Sequence, residues 1–269
     1  MGWIATSRVG ERGIRRRGTP GRALWITVAG DSPVTSPRLK RTVDLVGALS
    51  LLAAILPLLV LIAVAIKLDS RGPVFYRVRR VGYRGRTLMM LKFRKMRHDA
   101  AGIPLTASAD ERLTRVGRVL ARTRLDELPQ LWDVLRGRMS LVGPRPEDPG
   151  FVALHADDYE RILSVRPGMT GLSQLAYAEE RNILNEADLV GDYVARVLPQ
   201  KIGLDTLYAG SYRIRMDLEV IWWTVVTLML RRPVAVHRSD GRMNLRRRKR
   251  PALAAETLAV TEPALAEVA

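Results

Sequence analysis

Leu45 to Ile66 reads LVGALSLLAAILPLLVLIAVAI, 22 consecutive residues without a charge, bounded by Asp44 and Lys67. As a helix rising 1.5 Å per residue, this stretch reaches about 33 Å, enough to cross the hydrocarbon core of a bilayer. Two features count against a simple crossing. Pro57 falls near the middle, where it removes a backbone donor and kinks or breaks a helix. Both flanks are also basic, with Arg38, Lys40 and Arg41 before the stretch and Lys67, Arg71, Arg77, Arg79 and Arg80 after it, so positive charge selects no orientation. A segment that enters, bends and leaves by the same face satisfies both flanks. A spanning helix and a buried helix of a soluble core remain the alternatives. A signal peptide fits poorly, because about forty residues precede the stretch and no small-x-small site follows it.

Outward from this segment, residues 1–36 carry Arg15, Arg16 and Arg17 with several Gly and Pro and no periodicity, the pattern of a disordered basic tail. On the other side, Val74–Val78 and Thr87–Leu91 read as short strands around Gly82-Tyr83-Arg84-Gly85, which predicts a hairpin. From Asp110 onward the chain reads mostly helical. Arg112–Ala121 is basic and amphipathic, with Leu113, Val116, Val119 and Leu120 on one face, suited to a core surface or to phosphates and head groups. Asp217–Leu230 is apolar after Glu219 and contains Trp222 and Trp223. It is too short to span, and reads as a core helix or an interfacial one. Arg246–Arg250 is an unbroken basic run and Pro251–Ala269 is Ala-rich, a second tail. The predicted organisation is a tail over 1–36, a membrane segment over 37–71, a globular domain over 72–236 and a tail over 237–269. The fold class is α+β, mainly α, with a small β-hairpin.

The net charge of +17 over 269 residues demands an acidic partner, which nucleic acid, anionic lipid and phosphorylated substrates all supply. An aromatic content of 6% leaves little of the stacking surface that single-strand binders use, so nucleic acid fits least. The absence of cysteine excludes disulfides and cysteine metal sites. His98, His155 and His237 are scattered. There is no Walker-type glycine loop, no metal-spaced histidine cluster and no internal repeat.

The chemistry concentrates in Arg122-Thr-Arg124-Leu-Asp126-Glu127-Leu-Pro129-Gln-Leu-Trp132. Asp126 is a good N-cap and Pro129 is tolerated in a first helical turn, which puts two adjacent acids at a helix N-terminus behind two arginines. An isolated pair of this kind is usually just a well-capped helix. Its neighbours change the balance. Ser140-Leu-Val-Gly143-Pro144-Arg145-Pro146 and Val165-Arg166-Pro167-Gly168-Met169-Thr170-Gly171 are two turns of one design. In each, proline stiffens the backbone, glycine permits close approach and one arginine offers a fork that suits phosphate oxygens.

With these pieces in view, the chain resembles the bacterial sugar transferase family, the monotopic polyprenyl-phosphate phosphoglycosyl transferases. The matching residues are Lys40-Arg41-Thr-Val-Asp44, Gly72-Pro73-Val-Phe75, Leu91-Lys92-Phe93-Arg94-Lys95-Met96, Leu125-Asp126-Glu127-Leu-Pro-Gln, Met139 to Pro146, and Val165 to Gly171. Six motifs in family order, over roughly 37–233, make the resemblance specific.

The resemblance implies a re-entrant membrane helix broken at Pro57, an Asp126 nucleophile and Glu127 beside Mg²⁺. Lys92, Arg94, Arg122, Arg145, Arg166 and Gln174 become candidate substrate-binding residues. It further implies transfer of a sugar 1-phosphate from a UDP-sugar to polyprenyl (undecaprenyl) phosphate, with release of UMP and an aspartyl-phosphosugar intermediate. The place would be the cytoplasmic face of the bacterial inner membrane, among membrane lipids, at the first membrane step of polysaccharide or glycoconjugate assembly. The chemistry is consistent: a carboxylate attacks phosphorus only where surrounding negative charge is neutralised, and Mg²⁺, a helix N-terminus and arginines do that. Three departures stand out. Leu56 precedes Pro57 where Ser is common, and Ala121 stands where a basic residue is common, leaving Arg122 or Arg124 to replace it. Leu-Ser-Gln174 replaces Trp-Ala-Gln, and Arg181-Asn182 arrives late for the family pattern. The competing readings are a basic protein that only binds lipid or nucleic acid, a scaffold without activity, and a polytopic transferase. The intact Asp126-Glu127 pair argues against the scaffold, and a single apolar segment against the polytopic site.

Overall fold

A computed structural model of the chain describes residues 35–97, 110–178, 184, 188–230 and 234–245. The expected tail through residue 34, His98, Arg181-Asn182, the Arg246–Arg250 run and the stretch to Ala269 lie outside the described residues.

Helix α1 (Pro37–Asp69) takes up the whole apolar stretch in 33 residues. Ser36 caps it, its Oγ accepting from the Leu39 N–H at 3.2 Å, and Pro37 follows in the first turn, where its missing donor costs nothing. The helix is not broken at Pro57 but continues through it. The proline ring is exposed, so its lost hydrogen bond falls on a face that packs against nothing. Among the described residues α1 is the one helix long and apolar enough to cross a membrane.

One stripe of α1 nevertheless rests on the rest of the domain along its length. Ala48, Leu52 and Ile55 pack with Leu88, Met90, Leu131, Val134 and Met139. Leu59, Ile62 and Ile66 pack with Phe93 and Leu120. The spacing of three and four residues is that of one helical face. The opposite face is open, with Leu49 61% and Leu61 65% exposed.

Both ends of α1 are fastened to this same domain. Arg41 donates to the carbonyls of Val134 at 2.6 Å and Leu135 at 3.0 Å. Asp44 is buried, and accepts from Ser140 Oγ at 2.8 Å and the Leu141 N–H at 3.1 Å. Lys40 sits between Asp44 at 3.2 Å and Asp217 at 3.0 Å. At the far end, Asp69 accepts from the Val116 N–H at 3.0 Å, and Arg94 donates to the Ser70 carbonyl at 2.8 Å. Asp44→Ala leaves buried donors without an acceptor and is expected to lower stability by about 3 kcal/mol. Thermal unfolding in detergent checks this, and an unchanged melting temperature contradicts it.

The predicted hairpin is present and longer than its sequence signal. Strand β1 (Phe75–Val81) pairs antiparallel with β2 (Thr87–Phe93), Phe75 facing Phe93 and Val81 facing Thr87. Helix α2 (Arg115–Thr123) starts after Leu113, which instead bridges to Met96. Leu120 is therefore buried while Val119 is exposed, and the four apolar residues expected on one face do not share it. Gly117 lets α2 approach the preceding chain: a Cβ there would stand 1.8 Å from the Lys95 carbonyl oxygen.

Beyond the short helix α3 (Leu131–Leu135), strand β3 (Ser140–Val142) pairs in parallel with β4 (Gly168–Thr170) across α4 (Pro149–Leu154) and α5 (Ala156–Ile162). Helices α6 (Leu172–Ala176), α7 (Leu189–Asp192), α8 (Leu198–Ser211) and α9 (Ile214–Leu230) follow. A hairpin of β5 (Val234–Val236) and β6 (Met243–Leu245) carries regular structure to residue 245, past the predicted end at 236. Helix α9 divides its faces: Asp217 and Val220 are buried, while Leu218, Trp222, Val225 and Met229 are exposed.

Candidate active site

Arg124 ends α2 in a left-handed conformation (φ 57°), rare for a residue with a side chain, and the chain turns sharply into a 3-10 helix, Leu125–Gln130. Asp126 and Glu127 lie within that turn. Asp126 is therefore not the N-cap its sequence context predicts, and Pro129 belongs to the 3-10 turn before α3. Trp132 is exposed while its neighbour Leu131 is buried. In a 3-10 helix successive residues diverge by about 120°, so two adjacent acids still reach different partners.

The acids do so. Glu127 Oε1 accepts from Lys92 Nζ at 2.7 Å, and Asp126 Oδ2 lies 3.7 Å from Lys95 Nζ. Asp126 is only 4% exposed. Burial works to raise the Glu127 pKa, but Lys92, then Arg145 and Arg124, more than offset it and hold the carboxyl well below the usual carboxylate range. Strand β2 supplies Lys92, the chain just beyond it Lys95, the α2 terminus Arg124 and the turn after β3 Arg145.

The two arginine turns do come together. Pairing of β3 with β4 sets them side by side, Gly143 N–H donating to the Thr170 carbonyl at 2.9 Å and Gly168 N–H to the Pro144 carbonyl at 2.8 Å. Glycine is required at both: a Cβ on Gly168 would stand 2.1 Å from Gly143 N, and one on Gly143 2.5 Å from the Arg166 carbonyl oxygen. Their side chains have different surroundings. Arg145 acts on Glu127. Arg166 donates to the Gly137 carbonyl at 2.9 Å, lies over the Tyr83 ring at 5.3 Å, and lines an open cavity with Lys40, Asp44, Tyr208 and Tyr212.

Other candidates are placed as follows. Lys92 meets Glu127 itself, a partner that sequence proximity does not reveal. Arg94 is 5% exposed, and its guanidinium donates to Ser70 and Arg71 at the end of α1. Arg122 is exposed on α2, and it is Arg124 whose charge reaches Glu127. Gln174 is buried, its Oε1 accepting from Ser173 Oγ at 3.2 Å beneath the paired turns. Lys95 is the site residue the sequence pattern missed as a candidate. Its signal was its place in the Lys92-Phe93-Arg94-Lys95 run, where the strand ends and alternation stops.

No group of three or more His, Asp or Glu that would cage a metal occurs among the described residues. Mg²⁺ does not require one: it is commonly held by one or two carboxylates, with substrate phosphates and waters completing the octahedron. Asp126 and Glu127 fit that donor set.

A small α+β domain with a long apolar helix, and an acid pair ringed by cations beside two glycine-braced arginine turns, defines an anion-handling carboxylate site. The sequence profile described as bacterial sugar transferase matches residues 35–231, and the chain belongs to that family. The exopolysaccharide production protein PSS of Rhizobium leguminosarum bv. phaseoli is 39% identical over 202 residues, 72% of this chain and 96% of that protein. The UDP-glucose:undecaprenyl-phosphate glucose-1-phosphate transferase of Caulobacter vibrioides is 38% identical over 195 residues, 71% of this chain and 69% of that protein. The undecaprenyl-phosphate glucose phosphotransferase of Komagataeibacter xylinus is 40% identical over 196 residues, 69% of this chain but 35% of that longer protein.

Proposed function

We propose that this protein transfers a sugar 1-phosphate from a UDP-sugar to undecaprenyl phosphate and releases UMP, in exopolysaccharide assembly. The observation that carries the reading is the Asp126-Glu127 pair, set among Lys92, Lys95, Arg124 and Arg145 at the family's motif positions. Asp126 attacks the phosphorus nearest the sugar, the bond to the UMP phosphate breaks, and an aspartyl phosphosugar remains. An oxygen of undecaprenyl phosphate then attacks the same phosphorus, the Asp126 ester bond breaks, and the diphosphate-linked sugar leaves with the carboxylate restored. Lys95 lies beside the Asp126 carboxylate, while Arg145 and Arg124 draw the donor's phosphates toward the pair. Mg²⁺, held by Glu127 and phosphate oxygens, would neutralise charge on the diphosphate. The test is UMP release from a panel of UDP-sugars, with purified protein in membranes containing undecaprenyl phosphate. Sustained release, beyond one equivalent of UMP per protein, that requires both Mg²⁺ and the lipid is expected, and none from any donor overturns the reading.

The protein works on one face of the cytoplasmic membrane, with both ends of α1 held at that face. What supports this is the attachment of α1 to a single domain at Asp44, along its middle and at Asp69, while its outer face stays apolar. A spanning helix would carry one end about 30 Å from the domain that holds the other. The chain has no cysteine, so Arg38→Cys and Arg71→Cys provide two exposed reporters on a clean background. Both are expected to react with an impermeant thiol reagent only from the cytoplasmic side. Labelling from opposite sides contradicts the one-face arrangement.

A further inference from the structure

The open cavity beside the start of α1 has no part in the chemistry above. It holds about 90 Å³, and Pro37, Lys40, Tyr83, Arg166, Tyr208 and Tyr212 are in its lining. That is room for several waters at about 10–15 Å³ each, but well below the roughly 300–1,000 Å³ of sites that enclose a whole small-molecule ligand. It suits one small group rather than a nucleotide sugar. It is also set apart from the acid pair. Arg41 and Arg166 bond the carbonyls of Val134, Leu135 and Gly137, at and beyond the end of α3. Asp126 and Glu127 open the same helical run, about 15 Å back at roughly 1.5–2.0 Å per residue.

Charge and unused donors both point to an anion. Three cations, Lys40, Arg41 and Arg166, stand here against two carboxylates, Asp44 and Asp217. The carboxylates are answered from within: Lys40 lies 3.2 Å from Asp44 and 3.0 Å from Asp217, Ser140 Oγ donates to Asp44 at 2.8 Å, and the Tyr208 hydroxyl donates to Asp217 at 2.6 Å. Neither arginine makes an ion pair among the described residues, yet the two guanidiniums meet at Gly137. Arg166 Nε donates to its carbonyl at 2.9 Å, and a Cβ on Gly137 would stand 3.4 Å from Arg41 Nη2. Capping the end of α3 accounts for that edge of Arg166. Its terminal nitrogens make no hydrogen bond among the described residues, and neither do the hydroxyls of Tyr83 and Tyr212 in the same lining. A guanidinium edge and two phenols in one concavity match the oxygens of a phosphate group.

The position of the cavity names the source of that phosphate. Helix α1 starts at its rim with Pro37, Asp44 is the last charge before the apolar run, and beyond it the outer face exposes Val46 and Leu49. A bilayer around the apolar run therefore sets residues 37–44 at head-group level. We propose that the cavity is a phosphate site that holds the head group of an anionic phospholipid in the leaflet where α1 begins. The inference rests on the membrane placement of α1 proposed above and not on the transfer chemistry.

The test is native mass spectrometry of the full chain in detergent, titrated with phosphatidylglycerol and, separately, with inorganic phosphate. One phosphatidylglycerol is expected to bind more tightly than any further copies, and inorganic phosphate at equal concentration is expected not to displace it. Arg166→Gln should weaken that first site by roughly 10- to 100-fold, and Tyr212→Phe by about 2- to 10-fold. Arg79→Gln, which removes the same charge from an exposed position on β1, should change it by less than about two-fold. Tyr212→Phe removes only a hydroxyl and keeps the test decisive should Arg166→Gln fail to fold. Equal weakening by Arg79→Gln and Arg166→Gln would show diffuse attraction to a chain of net charge +17, and would overturn the site. Unchanged binding in Tyr212→Phe together with Arg166→Gln, or displacement by inorganic phosphate, would overturn it as well. The readout is bound lipid rather than UMP, so a protein without turnover would sink the functional reading and leave this inference standing.

Discussion

Asp126→Asn is expected to reduce UMP release by roughly 10³-fold or more while leaving the fold intact. Asparagine has the shape of aspartate and fits the same 3-10 turn. The partner left behind, Lys95, is 22% exposed and can turn to water, so the substitution does not strand a buried charge. What disappears is the oxygen proposed to attack phosphorus. Circular dichroism and detergent melting report the fold, and a coupled UMP assay reports turnover. A well-folded variant with near-normal release would remove Asp126 from the chemistry.

Glu127→Gln is expected to cost roughly 10²-fold in rate and to raise the Mg²⁺ concentration needed for half-maximal activity. The amide keeps the size of the side chain but not the charge that Lys92, Arg145 and Arg124 surround. Three cations then face one another with less to balance them, and the proposed Mg²⁺ would lose its protein carboxylate. Titrating Mg²⁺ against UMP release separates the two effects: a pure loss of structure lowers the plateau without moving the midpoint. Full activity of Glu127→Gln at low Mg²⁺, or of the native protein in excess chelator, would show that Glu127 holds no metal.

Much of this arrangement is legible in the sequence because its signals are local. The uncharged run from Leu45 to Ile66 marks α1, the turn at Gly82–Gly85 marks the hairpin, and the Asp126-Glu127 pair announces itself by its neighbours. Long-range pairing leaves no such trace. Lys92 and Glu127 are 35 residues apart, and nothing in either segment says they meet. Arg94 looks like a phosphate ligand by composition, yet it lies just past the end of β2, where it donates to the Ser70 carbonyl at the end of α1. The β3–β4 pair is three residues wide, too short for an alternating pattern to register, and only the glycines at 143 and 168 hint at the close approach it makes. Asp126 reads as a helix cap because its residue type is right. The left-handed Arg124 that moves the helix start is invisible, since arginine seldom adopts that conformation.

The central claim, that Asp126 carries the sugar phosphate during transfer, is tested most directly by withholding the acceptor. Purified protein mixed with UDP-glucose and Mg²⁺, but no undecaprenyl phosphate, should gain the mass of one sugar phosphate and release one equivalent of UMP. Peptide mapping after an acid quench should place that mass on the segment containing Asp126, and Asp126→Asn should gain none. Addition of the lipid should discharge the adduct. Sustained lipid-dependent turnover with no adduct in the native protein, or an adduct that persists in Asp126→Asn, would contradict it.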